Sequence, residues 1–490
     1  MSIVSSVRGE SRRYDAVIVG AGPNGLAAAI TLARAGLSTL LVEGSDIPGG
    51  GMRSSPLTLP GFTHDVCSAV HPLGAGSPFF RTLGLEEHGL TWIESPTPVA
   101  HVMDDGTATP LERSLDATAE QLGRDGASYR NLLQPFVREF QPLIRMILAP
   151  LRFPRRPLLM ARFGLSAIRS MCGLARSRFR GERPAALLAG IAAHAMIPLD
   201  SVVTASFALV LATAGHAVGW PIARGGSQSI ANALVSKYRA LGGELVLGQH
   251  VTHLSQLPEA RVYLFDVAAR NLLTIAGDVL SPRYKRRVER FRYGPGVFKI
   301  DWALSGSIPW RDPHCRRAVT VHLSGNIAQV AAAEAAVHAG RVAERPFVLL
   351  GQPSIVDGTR APDGKHTAWA YCHVPHGSAV DALDAIEAQV ERAAPGFRDL
   401  VLARSTRNAI EMERYDPNCV GGDINGGLSD LTQLFFRPLL KIDPYATSAP
   451  HVFICSSSAP PGGGVHGMCG YWAARSALAK RFGRRACPLA

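Results

Sequence analysis

The turn G-A-G-P-N-G at residues 20–25 constrains this chain more than any other feature. It falls between an apolar run, DAVIVG, and an alanine-rich stretch, PNGLAAAITLARAG, that stops at Gly36. A second apolar run, STLLVE, ends at Glu43. The spacing predicts one βαβ unit. In it Gly20 permits a tight turn, Gly22 lets the backbone approach a pyrophosphate, and Gly25 lets helix and strand pack closely. The helix that starts at Pro23 and Asn24 stabilises the anion with its N-terminus. Glu43 arrives 18 residues after Gly25, where a carboxylate accepts ribose hydroxyls and repels a 2′-phosphate.

Two further glycine-rich segments extend this pattern. After Glu43 the loop G-S-D-I-P-G-G-G-M-R-S places Gly49, Gly50 and Gly51 ahead of Arg53 and Ser54. Exposed backbone N–H groups with a fixed guanidinium beside them suit an anion, and a second loop suits a cofactor longer than NAD. Near the other end, VFICSSSAPPGGGVHGMCGYWAARSAL reads as a strand, a glycine turn and a closing helix. The N-terminus of that helix, near Gly464 to Gly467, points N–H groups at a flavin carbonyl.

Composition narrows the rest. With 490 residues, 47% hydrophobic and 18% charged, the chain can bury more than one core. The net charge is +12, and of 51 basic residues only six are lysine. No basic run is interleaved with aromatics, so no nucleic-acid partner is expected. The eight cysteines form no C-x-x-C pair, which excludes a redox disulfide and predicts reduced thiols in a cytoplasmic setting. His373 and His376 lack an acidic partner at ligand spacing, so no metal is expected. The first twenty residues have no uncharged apolar core, and no signal peptide is expected.

Residues 114 to 147 carry helical spacing interrupted at Pro135 and Pro142. From 143 to 180 apolar residues alternate with arginines. Two readings stand: a membrane-surface patch that admits a greasy substrate, or a helix pair with its arginines in water. Residues 185 to 220 are mostly apolar, but His194, Pro198, Asp200 and His216 interrupt them. Buried helices over a substrate cavity are expected there, because a spanning helix needs about 20 uninterrupted apolar residues. Beyond a second glycine turn and helix, ELVLGQHVTHL and RVYLFDV read as strands, and residues 296 to 440 as a mixed domain.

The motifs D-A-V-I-V-G-A-G-P-N-G-L, the G-G-x-x-R-S type loop, P-I-A-R-G-G-S-Q-S-I-A-N-A-L, N-C-V-G-G-D-I-N-G-G and P-P-G-G-G-V-H-G run from residue 14 to 475. Together they resemble the flavoprotein superfamily of phytoene desaturases, amine oxidases and protoporphyrinogen oxidase, most closely its phytoene-dehydrogenase-related branch. The resemblance implies an α/β fold with non-covalent FAD in a Rossmann-like domain assembled from segments 1–105, 221–295 and 441–490. A helical substrate region at 106–220 and an α+β substrate domain at 296–440 complete it. Carried over, the cofactor residues are Gly20, Gly22, Pro23, Asn24, Gly25, Glu43, Gly51, Arg53, Ser54, Val251, Gly464, Val465 and His466. Two features depart from the family pattern. Cys455, Ser456 and Ser457 replace a G-D pair after the last strand, and only Ser255 to Ala260 separate two strands that a small β-meander usually joins.

The activity implied is hydride transfer between flavin and a hydrophobic small molecule such as an isoprenoid or long acyl chain, by desaturation, saturation or isomerisation. An oxygen-dependent amine oxidase, with Tyr471 and Trp472 flanking the substrate, is the second reading. A flavin-binding partner protein without turnover is the third. The catalytic candidates each keep a plainer alternative. His466 lies near the ring or caps the last helix. Asp423 and Asn425 close over the site or form an Asx turn. Arg437 neutralises charge or braces the structure. Cys469 lies close enough to the flavin turn to tether the ring, or is simply a small buried side chain.

Overall fold

A computed structural model describes residues 13–489. Residues 1–12, which include most of the segment behind the signal-peptide reading, lie outside it. The apolar run Tyr14–Val19 forms the middle strand of a five-stranded sheet in the order Val452–Ile454, Ala260–Phe265, Tyr14–Val19, Thr39–Val42, Glu244–Val246. Every pairing is parallel. Parallel strands are covered on both faces, hence the continuous apolar runs: Ala16, Val17, Ile18, Val262, Leu264 and Phe265 are all buried. The sheet therefore draws its strands from both ends and the middle of the chain.

Helices Pro23–Arg34, Gln228–Ala240 and Met468–Ala477 pack with this sheet in one core. The first and last touch backbone to backbone. A Cβ on Gly470 would lie 1.8 Å from the Asn24 carbonyl oxygen, so the N-terminal ends of both helices share one side of the domain.

A seven-stranded mixed sheet forms the second body, in the order Val401–Arg407, Gly296–Leu304, His366–Val374, Val348–Gly351, Ala318–Leu323, Thr97–Val102, Ala108–Leu111. Its pairings are antiparallel except between Ala318–Leu323 and Thr97–Val102. Against it lies a helical layer that includes Glu182–Ala192 and Thr204–Val218.

Two local expectations are corrected. The run ELVLGQHVTHL forms a strand only over Glu244–Val246, because Gly248, at φ +68°, turns the chain. Pro135 lies inside helix Gly126–Arg138 without ending it, although it forgoes one intrahelical hydrogen bond, and Pro142 falls in the first turn of helix Phe140–Ile147, where a proline forgoes none. Helices Pro157–Ala167 and Met171–Arg178 meet at 97°, and among the described residues no single helix is long and apolar enough to cross a membrane.

Candidate active site

Crowding dictates the glycines of the first loop. Added Cβ atoms would fall 2.7 Å from the Asp266 carbonyl oxygen at Gly20, 2.8 Å from Asp266 Oδ2 at Gly22 and 1.8 Å from the Gly20 carbonyl oxygen at Gly25. Asp266 ends the strand Ala260–Phe265, and its Oδ2 accepts a 2.7 Å bond from the Gly25 N–H. Burial pushes this carboxyl up to about 7; Glu43 and Asp416 add to the shift and the Gly25 amide opposes it. Glu43 clamps the second strand to the loop, accepting from the amides of Ala21 (2.6 Å) and Ser45 (2.9 Å). Asn24 Oδ1, at the start of the helix, is buried without a partner.

The second loop leans on the first: a Cβ on Gly50 would lie 3.1 Å from Gly22 Cα. Arg53 donates to the Gly50 carbonyl (3.0 Å) and the Ser45 hydroxyl (3.2 Å), and faces Asp416 at 3.6 Å. The Gly51 carbonyl accepts from the amide and hydroxyl of Ser68. Ser54 does not face the loop's interior. Its hydroxyl donates to Asp65 (2.7 Å) and accepts from the Gln228 amide (3.1 Å), bracing the next glycine turn. Val251 is buried, in irregular backbone rather than the expected strand. That backbone runs along residues 43–45, with the Gln249 N–H donating to the Glu43 carbonyl.

In the C-terminal turn Gly462, Gly464 and Gly467 all have positive φ, which favours glycine. His466 Nδ1 accepts the Met468 amide (3.0 Å), so the ring caps the closing helix. Its Nε2 stays buried without a partner near Gly464. Burial lowers this histidine to about 4 and keeps it neutral. The Cys469 thiol donates to the Gly462 carbonyl (3.3 Å), and burial pushes it up to about 12. Cys455, Ser456 and Ser457 follow the last strand. Asp266 follows the adjacent strand, with its carboxylate on the Gly25 amide of the first loop.

The other candidates separate. Asp423 accepts from the amides of Gly294 (2.7 Å), Asn425 (2.7 Å) and Gly427 (2.9 Å), so it is the Asx staple of its loop. Arg437 is buried and donates to the carbonyls of Gln433, Ser457 and Leu428, bracing the same region from behind. Asn425 alone of the three reaches the cavity, with its side chain donating to the His194 carbonyl (3.2 Å). Tyr471 packs on Phe79, and the Trp472 indole donates to the Leu148 carbonyl. Both sit within the helix packing and off the cavity wall. His373 gains an acidic partner that its neighbours in sequence do not supply, Glu334 at 2.8 Å.

A cavity of about 920 Å³ begins at Gly463, Gly464, Val465 and Asn425 and passes Trp220, His194, Phe207 and Val210. It ends at Leu151, Leu165 and Ile168, which line it and are also exposed to solvent. Among the described residues no aspartate or glutamate lines it.

Residues 18–83 match the family of NAD(P)-binding Rossmann-like domains. Pyridine nucleotide-disulfide oxidoreductase domain-containing protein 2 of Mus musculus is 26% identical over 93% of this chain and 92% of its own length. Hydroxyneurosporene desaturase of Rhodobacter capsulatus is 40% identical over 22% of each chain. This chain is a homologue of the phytoene-desaturase-like FAD oxidoreductases. It is an enzyme of the oxidoreductase class. Among solved structures, cyclohexylamine oxidase from Brevibacterium oxydans shares the fold of this oxidoreductase at a TM-score of 0.57. The match has 14% identity and covers 96% of this chain and all of that one.

Proposed function

We propose that this oxidoreductase binds FAD non-covalently between the two glycine loops and the C-terminal turn, and acts on a hydrophobic substrate taken from a membrane surface. The observation that carries this reading is the apolar cavity, which runs from the Gly463–Val465 turn to exposed Leu151, Leu165 and Ile168.

The residues fit the cofactor. The first loop has no room for a side chain at Gly20, Gly22 or Gly25, and Asn24 Oδ1 and His466 Nε2 are buried without a partner. Asp266 already holds an acidic group on the Gly25 amide, an anion's place at a helix N-terminus. In this reading Gly20, Gly22, Pro23, Asn24 and Gly25 cradle the pyrophosphate with Arg53, Glu43 takes the ribose, the Val251 segment borders the adenine, and Gly464, Val465 and His466 face the ring. FAD supplies hydride transfer when bound. The chain orients the substrate along the cavity and excludes water from it.

The bare cavity also argues against amines. With no carboxylate on its wall, an ammonium would lose its hydration without a counter-charge. FAD-loaded protein mixed anaerobically with polyprenyl lipid is therefore expected to bleach, whereas alkylamines leave it oxidised. Bleaching by amines and not by prenyl lipid would sink the proposal. Val210→Trp, which fills the cavity, should block lipid-driven bleaching while the flavin spectrum stays unchanged.

The mouth suits a bilayer. Exposed Phe153 and Leu158 adjoin it, with exposed Arg155, Arg156 and Arg162 among them. Apolar side chains enter the acyl boundary and arginines meet anionic headgroups, at about 1 kcal/mol per basic residue. Leu158→Glu with Leu165→Glu is expected to weaken co-sedimentation with phosphatidylserine vesicles at least about tenfold, or about 1.4 kcal/mol. Undiminished co-sedimentation would place the contact elsewhere.

A further inference from the structure

The cavity is apolar, yet its inner end carries polar groups that the proposed function leaves idle. Six lining side chains contain nitrogen or oxygen: His71, Arg152, His194, Ser206, Trp220 and Asn425. Four are spent elsewhere. The Trp220 indole donates to Thr320 (3.1 Å) and the Ser206 hydroxyl to the Val203 carbonyl (2.6 Å). His71 Nε2 pairs with Ser227 (2.9 Å) while its Nδ1 is sealed in the core. Arg152, next to exposed Leu151, lies over Trp472. His194 and Asn425 are left, and they adjoin: Asn425 Nδ2 donates to the His194 carbonyl at 3.2 Å. A carbonyl only accepts, so the NH2 end of the amide faces it and Oδ1 is the free end, an acceptor. Asn425 is held in place, because its backbone N–H donates to Asp423 (2.7 Å) and its carbonyl oxygen lies 2.7 Å from where a Cβ on Gly463 would stand.

His194 offers the complementary group. Its Nε2 meets His322 Nε2 at 3.4 Å behind the wall. Burial lowers His194 to about 3 and His322 well below its usual value, so each neutral ring carries one N–H. One of the two donates across this contact. His322 packs edge-on against His101, and its Nδ1 is buried without a partner. A hydrogen on that Nδ1 would be an orphaned buried donor, a rarer fault than an idle acceptor. His322 therefore carries its hydrogen on Nε2 and gives it to His194 Nε2, which leaves the His194 hydrogen on Nδ1. Among the described residues that N–H has no protein partner, and the cavity is where it opens. The ring itself stands edge-on to Trp220, with 6.4 Å between centroids. Among the described residues Met196 (φ +55°) and Val203 (φ +69°) are the non-glycine positions with left-handed backbone, and they follow His194 in the stretch that lines the cavity. A β-branched residue is an outlier there, and such strain collects where a ligand is gripped.

We propose that the substrate carries a hydroxyl, held at the inner end of the cavity between His194 Nδ1–H and Asn425 Oδ1. A hydroxyl has a hydrogen to give Asn425 and lone pairs to take the His194 N–H. An ether or ketone matches the histidine alone. A hydrocarbon matches neither, and leaves both groups unpaired once water is expelled. The substrate class narrows to a prenyl or long acyl alcohol with its hydroxyl near the Gly463–Val465 turn. This inference deepens the proposed function and rests on it for the cavity as the substrate's place.

Calorimetric titration of the full-length protein reconstituted with FAD tests it. The probes are a prenyl alcohol, its methyl ether and the hydrocarbon of equal chain length, all in one detergent. The alcohol is expected to bind about tenfold or more tighter than the hydrocarbon, with the ether in between. In Asn425→Leu the alcohol and the ether should converge. In His194→Phe, which keeps a ring against Trp220, the gap between alcohol and hydrocarbon should shrink to about threefold or less. If Asn425→Leu does not fold, His194→Phe carries the test. Equal binding of alcohol and hydrocarbon by the unaltered protein would overturn the hydroxyl while the apolar cavity reading stands. Binding of none of the three would overturn both.

Discussion

Gly25→Ala is expected to leave the protein unable to retain FAD. The added methyl would stand 1.8 Å from the Gly20 carbonyl oxygen and 3.1 Å from Asp266 Cβ, both fixed by the central strands. The opening helix has little freedom to retreat, because Gly470 of the closing helix already meets the Asn24 backbone. Relief comes from lifting the helix start off the strand, which carries its N–H groups away from the pyrophosphate position. The dissociation constant for FAD should rise about a hundredfold or more, or ~2.7 kcal/mol. Overpacking should cost a further 1–3 kcal/mol or so of folding stability. Fluorescence titration with FAD and thermal unfolding measure the two effects. A variant that keeps its flavin through gel filtration would show that the loop does not hold the cofactor.

FAD affinity is also expected to fall as pH rises through about 7, the value to which burial, with Glu43 and Asp416, pushes Asp266. Below it the carboxyl is neutral and offers an O–H to a phosphate. Above it a carboxylate competes for the Gly25 amide and repels the pyrophosphate, so each FAD bound takes up one proton. Affinity should then weaken by up to about tenfold per pH unit. Asp266→Asn, neutral at every pH, should flatten the profile. For the cofactor-free protein the sign is the same. The folded state holds a proton that the unfolded chain, at the ordinary carboxyl value of 3.8, has lost. The stability from this group is complete below that value and is lost as pH rises toward 7. A pH-independent dissociation constant in the unaltered protein would remove Asp266 from the site.

The readable parts of the site were those written in local sequence. Glycine spacing, the apolar runs and Glu43 mark the βαβ unit, and the strand before the Gly462–Gly464 turn marks the piece that returns to the sheet. Asp266 was not readable in this way. It is one acidic residue after a strand, and its meaning depends on Ala260–Phe265 pairing beside Tyr14–Val19. Ser54 fits the loop motif, but its hydroxyl is spent on Asp65 and Gln228, partners remote in sequence. His194 showed only as a break in an apolar stretch; its neighbours His322 and His101 come from the other sheet. Tyr471 and Trp472 have the right residue types for an amine oxidase cage. Helical geometry turns them into the contact with Phe79 and Leu148 instead.

The central claim, that this fold holds FAD next to an apolar cavity, is tested most directly by the visible absorption spectrum of the purified full-length protein before and after denaturation. The account expects flavin bands on the native protein, or on protein reconstituted with FAD, that pass wholly into the supernatant once the chain is denatured. A protein that stays colourless after reconstitution would contradict it, and flavin bands that remain with the denatured chain would contradict non-covalent binding.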